Sequence, residues 1–146
     1  MLNRYIKKIF CFMCIMVCWV ILPISSQAFT DYYSAYRNDP QYAIGSMHQG
    51  FFYVMDLDSV YVKLYHPPLY IIAGTITVID NGYKNQGPVS QKEVTYRLNY
   101  DTKQIDSYNE STGSWDDQAF TFNRDPHLMI SYYNKIFYRL YDVPFF

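Results

Sequence analysis

The alternation of apolar and polar residues predicts a β-sheet in the middle of the chain. From Phe51 onward the pattern has a period of two over several short runs, as in strands with one buried face. Turn residues separate the runs, so consecutive strands should pair as an antiparallel meander. We expect six strands, over residues 51–56, 60–65, 70–79, 93–100, 104–109 and 114–122. The turn-rich segment 81–88 is predicted as an exposed loop.

The second of these runs is predicted to have one face on the core and one in water. Its core face should carry Val60, Val62 and Leu64. Its solvent face should carry the residues between them, which are Tyr61, Lys63 and Tyr65.

The C-terminal part of the chain predicts an amphipathic helix of sixteen residues. Asp125 can cap it, Pro126 suits its first position, and Pro144 follows its end. The apolar positions recur at helical spacing. They are Leu128, Met129, Tyr132, Tyr133, Ile136, Phe137, Leu140 and Tyr141.

A short helical lead-in is predicted within residues 29–49, and it should end at Asp39-Pro40. Residues 50–146 are then expected to form a single domain. The predicted fold class is α+β: a six-stranded antiparallel meander sheet, packed by the C-terminal amphipathic α-helix.

The first 28 residues have the pattern of a cleaved secretory signal peptide. Arg4, Lys7 and Lys8 precede an uncharged apolar run over residues 9–22, and cleavage is expected after Ala28. The run of 14 residues is shorter than the roughly 20 that a membrane-spanning helix needs. We therefore expect an exported protein that is either periplasmic or located at the cell surface or outside the cell. It should have no stable membrane span after cleavage.

Cleavage would change both the charge and the cysteine content of the chain. Removal of three basic residues leaves 9 of the 12 against 13 acidic ones, a net charge of −4. That charge argues against nucleic acid as a partner. The three cysteines, at positions 11, 14 and 18, would all be lost, so the exported chain could form neither a disulfide nor a thiolate metal site. Its stability would come from a hydrophobic core, and 50% of the residues are hydrophobic.

No catalytic, metal or cofactor constellation stands out. The histidines, His48, His66 and His127, lack ligand spacing, and the Asp56-Leu57-Asp58 segment fits a capped turn better than a calcium loop. Asp116 and Asp117 are neighbours in a strand, so their side chains should point to opposite faces. The expectation is a protein that is not an enzyme and that holds no cofactor.

The aromatic residues supply the candidate contact sites. About two-thirds of them fall at inward positions of the predicted strands and helix and are assigned to the core. Five tyrosines fall on outer faces or loops and are the candidate contacts for a protein or glycan partner. They are Tyr61, Tyr65, Tyr83, Tyr108 and Tyr138.

Two segments resemble bacterial proteins similar to surface-adhesin protein E. They are FYVMDLDSV at residues 52–60 and DPHLMISYYNKIFYRLYDVPFF at residues 125–146, and the resemblance covers roughly residues 50–146. It implies antiparallel strands followed by a C-terminal helix, in a cell-surface domain that binds host matrix proteins and can dimerise. The exported chain departs from that pattern because it would have no cysteine for a lipid anchor or for a disulfide between helix and sheet.

The function predicted on these grounds is non-catalytic, adhesin-like binding by a secreted domain at the cell envelope or outside the cell. One alternative is a periplasmic module that binds a small ligand or assists assembly, in a groove between sheet and helix. A small hydrolase is a third interpretation and would need a polar cluster in a concave pocket. Pairing through an exposed edge strand would allow a homodimer.

Overall fold

A computed structural model of the chain describes residues 31–82, 87–118 and 125–146. These residues form two helices, seven strands and one short 3-10 turn. The helices are α1 (Tyr32–Asn38) and α2 (Pro126–Tyr141), and the 3-10 turn is Leu57–Ser59. The strands are β1 (Tyr42–His48), β2 (Phe51–Asp56), β3 (Tyr61–His66), β4 (Leu69–Asp80), β5 (Gly87–Asn99), β6 (Gln104–Asn109) and β7 (Ser114–Asp117).

The strands make one antiparallel sheet in the order β1-β2-β4-β5-β6-β7. β3 also pairs with β4, next to Leu69–Ala73, whereas β2 pairs with Ile76–Asp80 of the same strand. β2 and β3 therefore run end to end along one side of β4, interrupted by the 3-10 turn. The predicted α+β class, with an antiparallel sheet packed by a C-terminal helix, is confirmed.

The sheet has one strand more than the six expected, because β1 lies within residues 29–49, where the sequence predicts only a helical lead-in. Small residues at Ala43, Gly45 and Ser46 hide the alternation that marks the other strands. Gly45 is required there, because a Cβ atom at this position would overlap the ring of Tyr53 on β2. The strand is thus specified by close packing against β2 rather than by a hydrophobic pattern.

The prediction that β3 has a core face is wrong. All six of its residues are exposed, including Val62 and Leu64. β3 is an edge strand with β4 as its neighbour, and its register shifts between Val62 and Leu64, so these two apolar residues do not line one buried face. α2 reaches β3 at its last turn, where the rings of Tyr65 and Tyr141 lie 5.9 Å apart.

β5 begins at Gly87, so Gly87 and Pro88 belong to a strand and not to the loop predicted over residues 81–88. The predicted N-terminal signal peptide, with its cleavage after Ala28, lies outside the described residues. So do residues 119–122 of the sixth predicted strand and Tyr83 in the predicted loop. Among the described residues no helix is both long and apolar enough to span a membrane.

The main core lies between the sheet and α2. Asp125 caps this helix by accepting a hydrogen bond from the backbone N–H of Leu128 at 3.2 Å, as the sequence predicts. The buried helix residues pack on strand residues that alternate along β2, β4, β5 and β6. The helix residues are Met129, Tyr132, Tyr133, Ile136 and Phe137, and the strand residues are Met55, Ile72, Ile76, Tyr96, Leu98 and Ile105.

A second, smaller cluster lies at the other face of the sheet, beneath α1. Phe52, Val54 and Ile79 are buried there, together with Ile44. Tyr33 and Tyr36 of α1 meet the ring of Phe52 edge-on, with ring centroids 5.6 and 6.3 Å apart. α1 therefore covers the β1-β2-β4 corner of this face.

Candidate binding face

The strands β3 to β7 present a face to solvent on the side opposite α2. Strand alternation places Tyr61 and Lys63 of β3 on this side, with Glu93, Thr95 and Arg97 of β5. No described helix packs over it. We call this surface the open face and define it by eight residues: Tyr61, Lys63, Glu93, Thr95, Arg97, Asp106, Tyr108 and Trp115.

A polar ladder occupies the part of the open face near β3. The Lys63 ammonium donates to the Glu93 carboxylate and to the Thr95 hydroxyl, each at 2.9 Å, and the Tyr61 hydroxyl donates to Glu93 at 3.2 Å. These side chains reach across β4, where Ala73 is small enough to let them pass. The contacts hold three exposed side chains in a fixed arrangement.

The same ion pair shifts the ionisation of both partners. The hydrogen bond from Lys63 lowers the pKa of Glu93, and the Glu93 carboxylate raises the pKa of Lys63. Both side chains are more than a third exposed, so solvent screens the attraction and it adds little to stability. The main effect of the Lys63–Glu93 ion pair is to fix the positions of the two charged groups.

The other end of the open face, on β5 to β7, combines aromatic rings with a buried charge. The Arg97 guanidinium pairs with Asp106 at 2.8 Å and lies over the Trp115 ring, 4.7 Å from its centroid. The Tyr108 ring meets Trp115 at 5.3 Å. Asp106 is 5% exposed, so its carboxylate needs Arg97 as a partner. Arg97 is thereby held against Trp115.

The five tyrosines proposed as contacts do not come together at one place. Tyr61 and Tyr108 are exposed members of the open face. Tyr65 is 64% exposed, but it lies on the α2 side, against Tyr70 and Tyr141. Tyr138 is an exposed residue of α2, and Tyr83 lies outside the described residues.

Sequence reasoning missed Trp115 and Arg97 as members of a surface. Trp115 packs on Arg97 and Tyr108 at the solvent side of the sheet. The alternation of inward and outward side chains along β5 does indicate that Arg97 points outward. That Arg97 lies next to Trp115 of β7 can be known only from the pairing of β5 with β6 and of β6 with β7.

The aromatic cluster on the α2 side is separate from the open face. Burial, with the nearby Tyr70 hydroxyl as a smaller cause, raises the pKa of Tyr141 to about 12. The Tyr141 hydroxyl is buried without a hydrogen-bond partner in the described part of the chain. This cluster joins the end of α2 to β3 and β4.

The predicted groove between sheet and α2 is filled by core side chains, but a cleft lies at the other side of that helix. It is bounded by α1, β1 and the part of α2 up to Lys135, and it has a volume of about 420 Å³. The lining residues are Tyr33, Arg37, Ile44, Asp125, His127, Leu128, Ser131 and Lys135.

The described residues hold no group of three or more His, Cys, Asp or Glu side chains that could bind a metal ion. Asp56, expected in a capped turn, accepts a hydrogen bond from the backbone N–H of Asp58 at 3.0 Å. Asp106 and Asp117 occupy opposite positions on β6 and β7, whereas Asp116 lies opposite Ser107. The two adjacent carboxylates of β7 thus belong to different faces, as strand geometry predicts.

No protein-family model, no curated protein and no solved structure matches this chain.

Proposed function

We propose that the protein is an exported, non-catalytic binding domain that acts at the cell envelope or outside the cell, and that its open face contacts a protein partner. The observation that carries the proposal is the grouping of Tyr108, Trp115 and Arg97 on a sheet face that no described helix covers. Tyr, Trp and Arg are the residue types that contribute most to binding at protein interfaces.

The fixed geometry of this face supports the same function. The Arg97–Asp106 pair and the Lys63–Glu93–Thr95 ladder hold their side chains in place before a partner arrives. A surface that is already ordered loses less side-chain entropy on binding. The mixture of both charge signs with aromatic rings is typical of a polar interface with a few strong anchors.

The resemblance to surface-adhesin protein E favours the same class of activity. Such a domain would meet proteins of a host matrix, and its partner surface would face away from the bacterium. None of that family's ligand-contacting residues is assigned to a position in this sequence.

Binding assays on the exported protein test the proposal. Purified matrix proteins and an array of glycans are the probes. The variant Tyr108→Ala/Trp115→Ala should bind a protein partner at least about tenfold more weakly, because it removes two aromatic anchors. The matched control is Tyr138→Ala, which removes an exposed tyrosine from α2 and should leave affinity unchanged.

Three results would count against this interface. If the double variant and the control bind equally well, the open face is not the contact surface. Binding of glycans alone would assign the two rings to sugar stacking instead. Turnover of a substrate that is lost on changing one polar residue would show an enzyme.

The alternative function is a periplasmic module that binds a small ligand, and the cleft beside α1 favours it. Its volume of about 420 Å³ lies within the range of small-molecule sites, roughly 300–1,000 Å³. A homodimer through the exposed edge of β3 stays a prediction, and sedimentation of the purified protein over a range of concentrations tests it.

A further inference from the structure

The cleft beside α1 gathers hydrogen-bond donors from three elements. Arg37 comes from the last turn of α1 and Tyr33 from its first turn, whereas Ser131 and Lys135 come from α2. The pairing of β1 with β2 anchors the floor of the cleft, where Ile44 is buried. Side chains on packed elements hold a ligand site more firmly than side chains on loops.

The charges lining the cleft are predominantly positive, although the chain as a whole is slightly acidic. Arg37 and Lys135 are both cations, and no acidic residue of the described part of the chain forms an ion pair with either. Asp125 is the one carboxylate among the lining residues, and it accepts the capping hydrogen bond from Leu128. Two cations against one carboxylate leave the lining with a net positive charge, which attracts a negatively charged ligand.

The donors match the chemistry of an oxyanion. The planar guanidinium of Arg37 can present two parallel N–H groups to a carboxylate or phosphate. The Lys135 ammonium uses one donor on the Tyr42 carbonyl oxygen at 2.9 Å, which leaves two of its three donors for a ligand. The hydroxyls of Tyr33 and Ser131 can add neutral hydrogen bonds, and the exposed His127 stands at the same opening.

We propose that this cleft binds a small molecule bearing a carboxylate or a phosphate, with Arg37 and Lys135 as its charge partners. The site is separate from the open face and does not depend on the function proposed for that face. It would give the protein a second, small-molecule ligand. The lining of the cleft suits a polar anion better than an apolar compound, because charged and polar side chains predominate in it.

Nuclear magnetic resonance titration of the exported protein tests this site. Inorganic phosphate and citrate are the two probes, each compared with sodium chloride at equal ionic strength. We expect saturable shifts in the amide signals of Arg37, Ser131 and Lys135 with at least one probe. The tighter of the two probes identifies whether the site prefers phosphate or carboxylate.

Two variants with a matched control separate a site from general charge attraction. Arg37→Gln removes an exposed guanidinium, and Lys135→Gln removes the ammonium while keeping an amide that can still donate to Tyr42. Each should weaken binding about tenfold or more. Arg139→Gln removes an exposed arginine from the same helix, outside the cleft, and should leave affinity unchanged.

The proposal is overturned if the shifts fail to saturate with both probes or are reproduced by chloride. It is also overturned if Arg37→Gln and Arg139→Gln bind equally well. Because neither arginine is buried, loss of folding should not obscure the comparison, and the amide spectra of the variants report directly on the fold.

Discussion

Tyr132 and Tyr133 are adjacent, fully buried residues of α2 whose hydroxyl groups have different surroundings. The Tyr132 hydroxyl lies 3.1 Å from that of Tyr96, and the two form a hydrogen bond inside the core. The Tyr133 hydroxyl has no hydrogen-bond partner among the described residues. A buried polar group without a partner keeps its desolvation cost, whereas a paired group recovers much of it.

Substitution of these two tyrosines by phenylalanine should therefore have opposite effects. Tyr133→Phe removes an unpaired hydroxyl and should leave the free energy of unfolding unchanged or raise it by up to about 1 kcal/mol. Tyr132→Phe leaves the Tyr96 hydroxyl unpaired and should lower it by about 1 kcal/mol or more. Urea unfolding of both variants measures the difference. A clear loss of stability in Tyr133→Phe would mean that its hydroxyl has a partner.

The buried tyrosines also predict sensitivity to alkaline pH. Burial raises the pKa of Tyr141 to about 12, and it raises the pKa values of Tyr132 and Tyr133 well above the ordinary 10.0. The folded protein therefore holds these protons at a pH where the unfolded chain releases them. Their stabilising effect is present below pH 10 and is lost as the pH rises toward and through the raised values.

Unfolding experiments at increasing pH check this behaviour. The free energy of unfolding should fall progressively above about pH 10, and Tyr141→Phe should make the fall between pH 10 and pH 12 shallower. Tyr108→Phe, at an exposed site, is the control and should leave the slope unchanged. A stability that stays constant to pH 12 would contradict the burial of these hydroxyls.

At the level of elements, β1 depends on a single glycine. The ring of Tyr53 lies against the backbone of Gly45 and occupies the space that a Cβ atom would need. Tyr53 in turn meets the ring of Tyr132 at 5.5 Å, so its position is fixed from the α2 side as well. Any displacement of this ring would disturb the contact between sheet and helix.

Gly45→Ala should thus lower the free energy of unfolding by about 1–3 kcal/mol, the usual cost of overpacking a core. The neighbouring change Ser46→Ala adds no atom and should stay within about 0.5 kcal/mol. Thermal or urea unfolding of the two variants measures both values. Equal stability of Gly45→Ala and the unchanged protein would show that the Tyr53 ring can move away freely.

The sequence predicts the elements that have a strong periodic pattern and misses those that close contacts specify. α2 agrees with its predicted bounds because its cap, its apolar stripe and the following Pro144 all indicate the same helix. β1 is not predicted, because Gly45 is needed to leave room for the Tyr53 ring and adds nothing to a hydrophobic pattern. Alternation along β3 predicts a buried face, yet burial depends on what covers a strand, and alternation does not report that.

The open face can likewise be predicted only in part: the sequence pattern indicates which side chains point outward but not which of them lie together. The outward position of Arg97 follows from alternation along β5. Its contact with Trp115 requires two strand pairings and a register, which alternation alone does not fix. The cleft beside α1 cannot be predicted from the sequence pattern, because it depends on how α1 and α2 are placed around β1.

On the scale of the whole molecule, the two sides of the sheet have different roles. The side beneath α2 holds most of the buried aromatic rings and the main core. The opposite side is covered by α1 at one corner, and over β3 to β7 no helix of the described part of the chain covers it. A domain built in this way can present one ordered face to a partner while the other side supplies its stability.

Labelling of an introduced cysteine tests most directly the claim that the protein is exported and displays its open face. Signal cleavage after Ala28 would leave no cysteine, so Gln104→Cys on β6 would carry the one reactive thiol. Gln104 is exposed and shares the side of Tyr108 on its strand. Tyr138→Cys on α2 is the matched position on the other side of the molecule.

The measurement is reaction of these thiols with a maleimide that cannot cross membranes, applied to intact cells of the native host and to their medium. We predict that the Gln104→Cys protein is labelled on intact cells or recovered labelled from the medium. Labelling that appears only after the outer envelope is opened would contradict an outward-facing binding domain and favour the periplasmic alternative. Labelling that requires lysis of the whole cell would contradict export itself.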